Sequence, residues 1–309
     1  MQNVSGYFIL PGKIDTPFIY RIRRLRDGGI YSLRGVDVFQ DRSAAASQTT
    51  APCFVATVSF KRRENTDKWV AFEHQNPPKD FLDTEYQSVL EGKNIEEHPL
   101  APGFDALWWE GEDAEEWSRL SAVFPGVETR KVDMTKYNGT VEEGGGPDGQ
   151  GASRWRQLLF YRLIIDEDGE EQDDVDLNLH AAAHMYAGDR NSIFLIQRAL
   201  GYEQRVTPMA SLSYTVVFQG PIAERLRMTD SHGRPKWFVQ ESWTSHSGDN
   251  RGCHESRLID YETGQLVGRT LQDGMIRVPS TEAGKAKRTY EHGLKEERAK
   301  GHALGSSKL

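Results

Sequence analysis

The chain has 309 residues, 37% of them hydrophobic and 27% charged, with a formal net charge of −8. This composition suits a globular protein long enough for two ordinary domains, and its acidic balance argues against nonspecific binding to nucleic acid or anionic membranes. Cys53 and Cys253 are too few for a disulfide framework and lack zinc spacing; no apolar run reaches transmembrane length, and no secretory signal opens the sequence.

Residues 1–64 read as a β meander. NVSGYFIL (3–10) stops at Pro11-Gly12, FIYRIRRLRD (18–27) runs to Gly28-Gly29, and IYSLRGVDVFQ (30–40) and CFVATVSFKRR (53–63) alternate apolar with polar positions. DRSAAASQTTAP (41–52) reads as a loose connection. Arg21, Arg23, Arg24 and Arg26 fit a solvated strand face better than a phosphate site. Residues 65–153 read as an irregular linker and insertion: prolines interrupt 65–102, DALWWEGEDAEEW (105–117) is acidic and aromatic, and EEGGGPDGQGAS (142–153) reads as a flexible loop.

WRQLLFYRLII (155–165) is the next strand, and DEDGEEQDDVD (166–176), eight acids in eleven residues, reads as a solvated turn. HAAAHMYAGDRNSIFLI (180–196) predicts a helix apolar almost all round and hence buried. Ala182, Met185, Ile193, Ile196 and Leu200 share one stripe, and Asp189 lies on it. A buried carboxylate is costly without a partner, which makes Asp189 a functional candidate. The competing reading is an N-cap: Gly188-Asp189 ends one helix and starts another, with the carboxylate accepting N–H bonds at Asn191 or Ser192.

Four more strands follow, at 207–219, 236–247, 251–262 and 265–277, with 225–235 as a surface insertion. The two halves form a faint repeat. SGYFIL resembles SLSYTVVF, FIYRIRRL resembles WFVQESWT, Arg34-Gly35 resembles Arg251-Gly252, and FVATVSF resembles LVGRTLQD.

Six segments, in order, resemble the acyl-CoA thioesterase II family: SGYFILPG (5–12), RRLRDGGIYSLRGVDVFQ (23–40), NLHAAAHMYAGDRNSIFLI (178–196), MASLSYTVVF (209–218), ESWTSHSGDNRGCHESRLIDYETGQLV (241–267) and TLQDGMIR (270–277). The resemblance implies an α+β double hot dog, in which two long antiparallel sheets each wrap a central helix. The modules fall at 1–64 and 154–279, with a tail at 280–309. It implies hydrolysis of fatty acyl-CoA to free acid and coenzyme A, with no cofactor and no metal. The family's catalytic Asp, hydroxyl and Gln fall on Asp189 in YAGDRNS, Ser211 in MASLSYTV and Gln272 in TLQDGMIR.

The chemistry is consistent with that trio. Asp189 acts as general base toward a bound water, and Ser211 and Gln272 orient it. The oxyanion is expected to meet N–H donors near the start of the helix, around Ala182 and Ala183. His180 is a pocket-lining candidate and Arg251 a candidate contact for a coenzyme A phosphate. Each residue has a plainer reading: Ser211 as an inward strand hydroxyl, Gln272 as a solvent-facing side chain, Arg251 as a surface turn charge, and His184 as a satisfied core histidine. His246 and His254 flank the turn SHSGDNRG and invite a Ser-His-Asp hydrolase reading, but no G-x-S-x-G elbow accompanies them. A hydratase would want a convergent Asp/His pair, whereas His184 and Asp189 point roughly 140° apart on a helix.

The first module's own leading strand and helix, with its Gly-Gly-Gln motif, find no match, because Met1 falls at the edge of the second strand. The expectation is an N-terminally shortened form whose first sheet has an uncovered apolar face bearing Tyr7, Ile9, Ile19, Val36, Val38, Val55 and Val58. That gap sustains an alternative function, a catalytically weak acyl-CoA-binding module, and favours a homo-oligomer. The terminal Ser307-Lys308-Leu309 is the peroxisomal import tripeptide. It predicts peroxisomal localisation and an import receptor as partner.

Overall fold

The computed structural model describes residues 1–13, 15–40, 51–62, 64, 73–101, 126–139, 151–165, 176–190, 192–200, 209–220 and 225–277. Its strands are β1 (Asn3–Phe8), β2 (Ile19–Asp27), β3 (Tyr31–Phe39), β4 (Phe54–Lys61), β5 (Val127–Lys131), β6 (Gln157–Leu163), β7 (Met209–Phe218), β8 (Phe238–Gly248), β9 (Arg251–Asp260) and β10 (Leu266–Ile276). The helices are α1 (Phe81–Glu85), α2 (Gln87–Leu90), α3 (Thr135–Asn138), α4 (Leu177–Asp189) and α5 (Phe194–Ala199), with a 3-10 turn at Ile95–Glu97.

All ten strands join one antiparallel sheet in the order β2-β3-β4-β1-β7-β10-β9-β8-β6-β5. β2-β3-β4-β1 and β8-β9-β10-β7 have the same internal order, and they meet through β1 and β7, with Val4 opposite Val216 and Gly6 opposite Tyr214. This is the sequence repeat made physical: SGYFIL and SLSYTVVF are the two strands at the join. The second copy adds β6 and the helices α4 and α5, as expected, and also the five-residue edge strand β5.

Around β6 to β10 the sheet is covered on both faces. On one side Tyr161, Tyr214, Val216, Phe218, Phe238 and Leu258 pack with Ala181 and Ala187 of α4. On the other, Leu158, Phe160, Val239, Ile259 and Leu266 pack with Leu82 and Tyr86 of α1 and its C-cap and Val89 of α2. The alternation of strand side chains divides these two cores residue by residue. Beneath α1 and α2, buried Glu241 accepts from Tyr86 Oη at 2.7 Å and Arg257 at 3.0 Å.

The central helical region departs from the expected continuous helix. α4 stops at Asp189, Arg190 is extended, and α5 begins at Phe194. The buried face of α4 is His180, Ala181, His184, Ala187 and Gly188. Ala182 is exposed, and so are Leu179 and Tyr186. Of the expected stripe, Ala182 therefore faces outward, Met185 is half-buried against the core, and Ile193 and Ile196 beyond α4 are buried, while small residues with two histidines make the inward face of α4. The reason is close approach: a Cβ on Gly188 would lie 3.2 Å from Tyr214 Oη, so the helix end rests almost directly on the sheet.

The seven apolar residues expected on one uncovered face lie on two. The register puts Tyr7 opposite Val55, and Ile19 in line with Arg21 opposite Asp37, on one side. Val36, Val38 and Val58 lie on the other, in line with Val4 and Ala56. Val38 is buried, while Tyr7 is 60% exposed. Within the described part of the first module the exposed apolar residues on the side of α4 are Tyr20, Ile22 and Phe8. The arginine strand is explained in part by Asp37: Arg21 and Arg23 both bond its buried carboxylate, which their hydrogen bonds and charges hold below the usual carboxylate range.

Candidate active site

Asp189 is delivered by the end of α4. Two sheet side chains bind that end from below. Tyr214 Oη donates to the carbonyl of Met185 at 3.1 Å, and Gln240 Nε2 donates to the carbonyl of Gly188 at 2.9 Å. The last carbonyls of a helix lack intrahelical partners, so Gln240 acts as a cap supplied by β8. Gln240 is held in turn by Ser256, which bonds Thr270 at 2.6 Å.

Ser211 is delivered by a β-bulge. Tyr214 stands opposite Gln272 and Ser213 opposite Asp273, but Ser211 stands opposite Gly274, so Leu212 is the extra residue. A bulge shifts the alternation by one. Without it, Tyr214 and Ser211, three positions apart, would point to opposite faces. With it, both reach the face that carries α4.

Gln272, on the central strand β10, joins the other two. Its amide Nε2 donates to Asp189 Oδ1 at 2.9 Å and to Ser211 Oγ at 2.9 Å. The Gln272 side chain is buried, not solvent-facing. The structure thus brings together all three residues of the expected trio. Asp189 is exposed to solvent by surface area, although protein crowds its carboxyl group. Desolvation pushes its carboxyl above the ordinary carboxylate range, and hydrogen bonds from Gln272 and then Ser192 work against that shift. The carboxylate does not act as the N-cap of α5, whose N-terminus has no side-chain cap.

The other predicted site residues lie elsewhere. Ala182 and Ala183 are inside α4, beyond its first turn, about 10 Å along the axis from Asp189 at 1.5 Å per residue. Their N–H groups belong to the helix ladder and do not reach the trio. His180 is buried at the far end of α4, where its Nδ1 accepts from Met228 N at 3.3 Å. Arg251 sits in line with Cys253 and Asp273, on the opposite sheet face from Gln272, and is paired with Asp273. His184 is a satisfied core histidine. Its ring bonds Tyr161 Oη at 2.9 Å and the Leu226 carbonyl at 3.1 Å, and burial lowers its pKa to about 3.

Sequence reasoning missed Gln240, Tyr214 and the anchoring role of Ser192. It also missed a cavity of about 40 Å³ beside the α4–α5 link, lined by Gln157, Ser192, Phe194, Ser242 and His254 among others. His254 is fully buried, neither ring nitrogen has a hydrogen-bond partner among the described residues, and burial lowers its pKa to about 3. The cavity is roomy enough for water, the natural partner of such a ring. The sequence signal was a cluster of polar residues at inward positions: Gln272 stands opposite His254, His254 opposite Thr244, and Ser242 is two residues before Thr244 on β8.

Residues 1–61 match the acyl-CoA thioesterase N-terminal domain and residues 101–276 the acyl-CoA thioesterase C-terminal domain. Among curated proteins, the chain is 22% identical to human (Homo sapiens) acyl-coenzyme A thioesterase 8, over 90% of this chain and 73% of that protein. Among solved structures, it resembles the acyl-CoA thioesterase II TesB2 of Mycobacterium marinum, with TM-score 0.53 and 18% identity over 90% of this chain and 81% of that one. A hot dog protein of unknown function from Alicyclobacillus acidocaldarius gives TM-score 0.52 and 14% identity, over 90% and 79% of the two chains. The fold is a hot dog, and the chain belongs to the acyl-CoA thioesterase family.

Proposed function

We propose that this thioesterase hydrolyses acyl-CoA with a water molecule that Asp189 deprotonates. The observation that carries the mechanism is the single Gln272 amide bonded to both Asp189 and Ser211. Ser211 Oγ accepts from Gln272, and among the described residues no base is bonded to its own hydrogen. Its hydrogen is free to orient a water oxygen, so Ser211 is a poor nucleophile and a good positioning hydroxyl.

The bonds balance simply. The water oxygen bonds the thioester carbon while its proton passes to Asp189. The C–S bond then breaks, and coenzyme A leaves as a thiolate that recovers a proton from Asp189 or solvent. Thiolate leaves readily, so no strong general acid is required. A carboxyl lifted above its ordinary range is a better base than an exposed one.

The test is release of free coenzyme A from acyl-CoAs of increasing chain length, with mass spectrometry of the protein during turnover. The water route predicts coenzyme A release with no acylated protein. An acyl adduct on Ser211 would replace it with a covalent route.

The same reading extends to location and assembly. Ser307-Lys308-Leu309 supports import into peroxisomes through the tripeptide receptor, where fatty acyl-CoA is the substrate. Removing the three residues should leave a fluorescently tagged chain cytosolic. The exposed Tyr20 and Ile22 on edge strand β2 support a homo-oligomer, which light scattering of the purified protein would detect. No helix among the described residues is long and apolar enough to cross a membrane.

A further inference from the structure

The Gln272 amide works only one way round. Its nitrogen must face Asp189 and Ser211, because an amide oxygen turned toward them would repel the carboxylate and leave Ser211 without its donor. Both hydrogens of Nε2 are engaged, one by each partner. What distinguishes the two ends of the amide is therefore the group that meets Oε1. Among the described residues that group is the hydroxyl of Ser192, in the link between α4 and α5.

Ser192 has one hydroxyl hydrogen and, besides Gln272 Oε1, two acceptors on Asp189: its carbonyl, at 2.9 Å from Oγ, and its carboxylate. That carbonyl already has a donor, because the backbone N–H of Ser192 bonds it at 3.3 Å across a tight turn. The turn gives that carbonyl one donor and the Gln272 amide gives the carboxylate another, whereas for Gln272 Oε1 the donor among the described residues is the Ser192 hydroxyl. The Ser192 side chain is itself buried, at 4% exposure, so bulk water does not compete.

We infer that Ser192 is a positioning residue, which sets the direction of the Gln272 amide and through it the geometry of Asp189 and Ser211. The inference rests on the catalytic reading above and adds a fourth member that acts through the Gln272 amide. It explains why the chain breaks its helix directly after Asp189. A continuous helix would put residue 192 three positions round the ladder, with its N–H bonded to Gly188 instead of closing the turn.

The experiment is steady-state kinetics of Ser192→Ala and Ser192→Thr on decanoyl-CoA, each also made in a Gln272→Ala background. Ser192→Ala should lower kcat about 10- to 100-fold, as expected for a slightly misplaced catalytic group, with KM within about threefold. The acid limb of its kcat/KM profile should move to higher pH, because a free amide no longer stabilises the carboxylate. Ser192→Thr keeps the hydroxyl and should recover most of kcat. In the Gln272→Ala background Ser192→Ala should cost nothing further. Thermal unfolding identifies any variant that fails to fold, and for such a variant Ser192→Cys takes its place. Unchanged kcat and acid limb in Ser192→Ala would overturn the inference, and so would additive losses in the Gln272→Ala background. If the unaltered protein releases no coenzyme A, the thioesterase reading fails first, and the two failures are thereby distinguished.

Discussion

Gln272 Nε2 lies 2.9 Å from Asp189 Oδ1, although 83 residues separate them in the chain. The contact exists because α4 ends on top of β10 and because Gln240 and Tyr214 hold that end down. The geometry of the trio is set by the sheet reaching up to the helix, and its consequences are measurable.

The acid limb of activity should lie above the ordinary carboxylate range. Asp189 must be ionised to accept a proton, and burial raises its pKa. Activity is therefore full above that raised pKa and falls as pH drops through it. A kcat/KM profile on a good substrate would show this limb; one at the pH of an exposed aspartate would contradict the assigned environment.

Gln272→Glu should be more harmful than its shape suggests. An ionised Glu cannot donate to Asp189 or Ser211, and two carboxylates sharing a site resist joint ionisation. The expected result is a loss of at least about 100-fold at neutral pH, comparable to removing a general base. The residual activity should show an acid limb shifted further upward. Near-native activity would mean that the amide donor is unnecessary.

Gly274→Ala should destabilise the protein by about 1–3 kcal/mol through overpacking. The added Cβ would meet Ile193 Cγ2 at 2.9 Å, and the equivalent change at Gly252 would meet Ile196 Cγ2 at 2.7 Å. Both glycines let α5 and the link before it lie close on the sheet. Chemical denaturation would give the stability change, and Gly274→Ala should also reduce kcat because Ser192 adjoins Ile193.

Glu241→Ala should cost about 3–5 kcal/mol, the usual effect of breaking a buried charge pair. Glu241 is 2% exposed, and its removal leaves Arg257 without that carboxylate and Tyr86 without its acceptor. Urea unfolding would measure the loss. A change within experimental error would show that the contacts beneath α1 and α2 are dispensable.

Stability should decline as pH falls from about 6.5 toward 3. His184 and His254 are buried neutral, each with a pKa near 3 in the folded state. In the unfolded chain they take up protons near the ordinary histidine value of about 6.5. Between those limits the unfolded state binds more protons, so stability rises with pH. Replacing His254 by Leu should flatten that slope, as thermal unfolding across the range would show.

Much of the fold was legible because strands announce themselves by alternation. Nine of the ten strands in the described residues coincide, to within a residue, with segments marked as strands, and the SGYFIL–SLSYTVVF likeness marked β1 and β7 as equivalent strands without showing that they pair. β5 escaped because five residues of VETRK carry too little pattern. The face of α4 was misjudged in part, for a different reason. Counting apolar residues puts Ala182 inward, but small size decides which side can approach a sheet closely, and Ala181, Ala187 and Gly188 take that side. The trio was recognised through family resemblance. Nothing local marks Ser211, whose orientation depends on a bulge, or Ser192, whose partner is 80 residues away.

The measurement that bears most directly on the account is coenzyme A release by Asp189→Asn beside the unaltered protein. Asn keeps the size of the side chain but cannot take a proton. The account predicts a loss of about 100- to 10,000-fold in kcat, the range of general base catalysis, with thermal stability equal or higher because a desolvated carboxyl has been removed. Retention of most of the activity by a folded Asp189→Asn protein would contradict it.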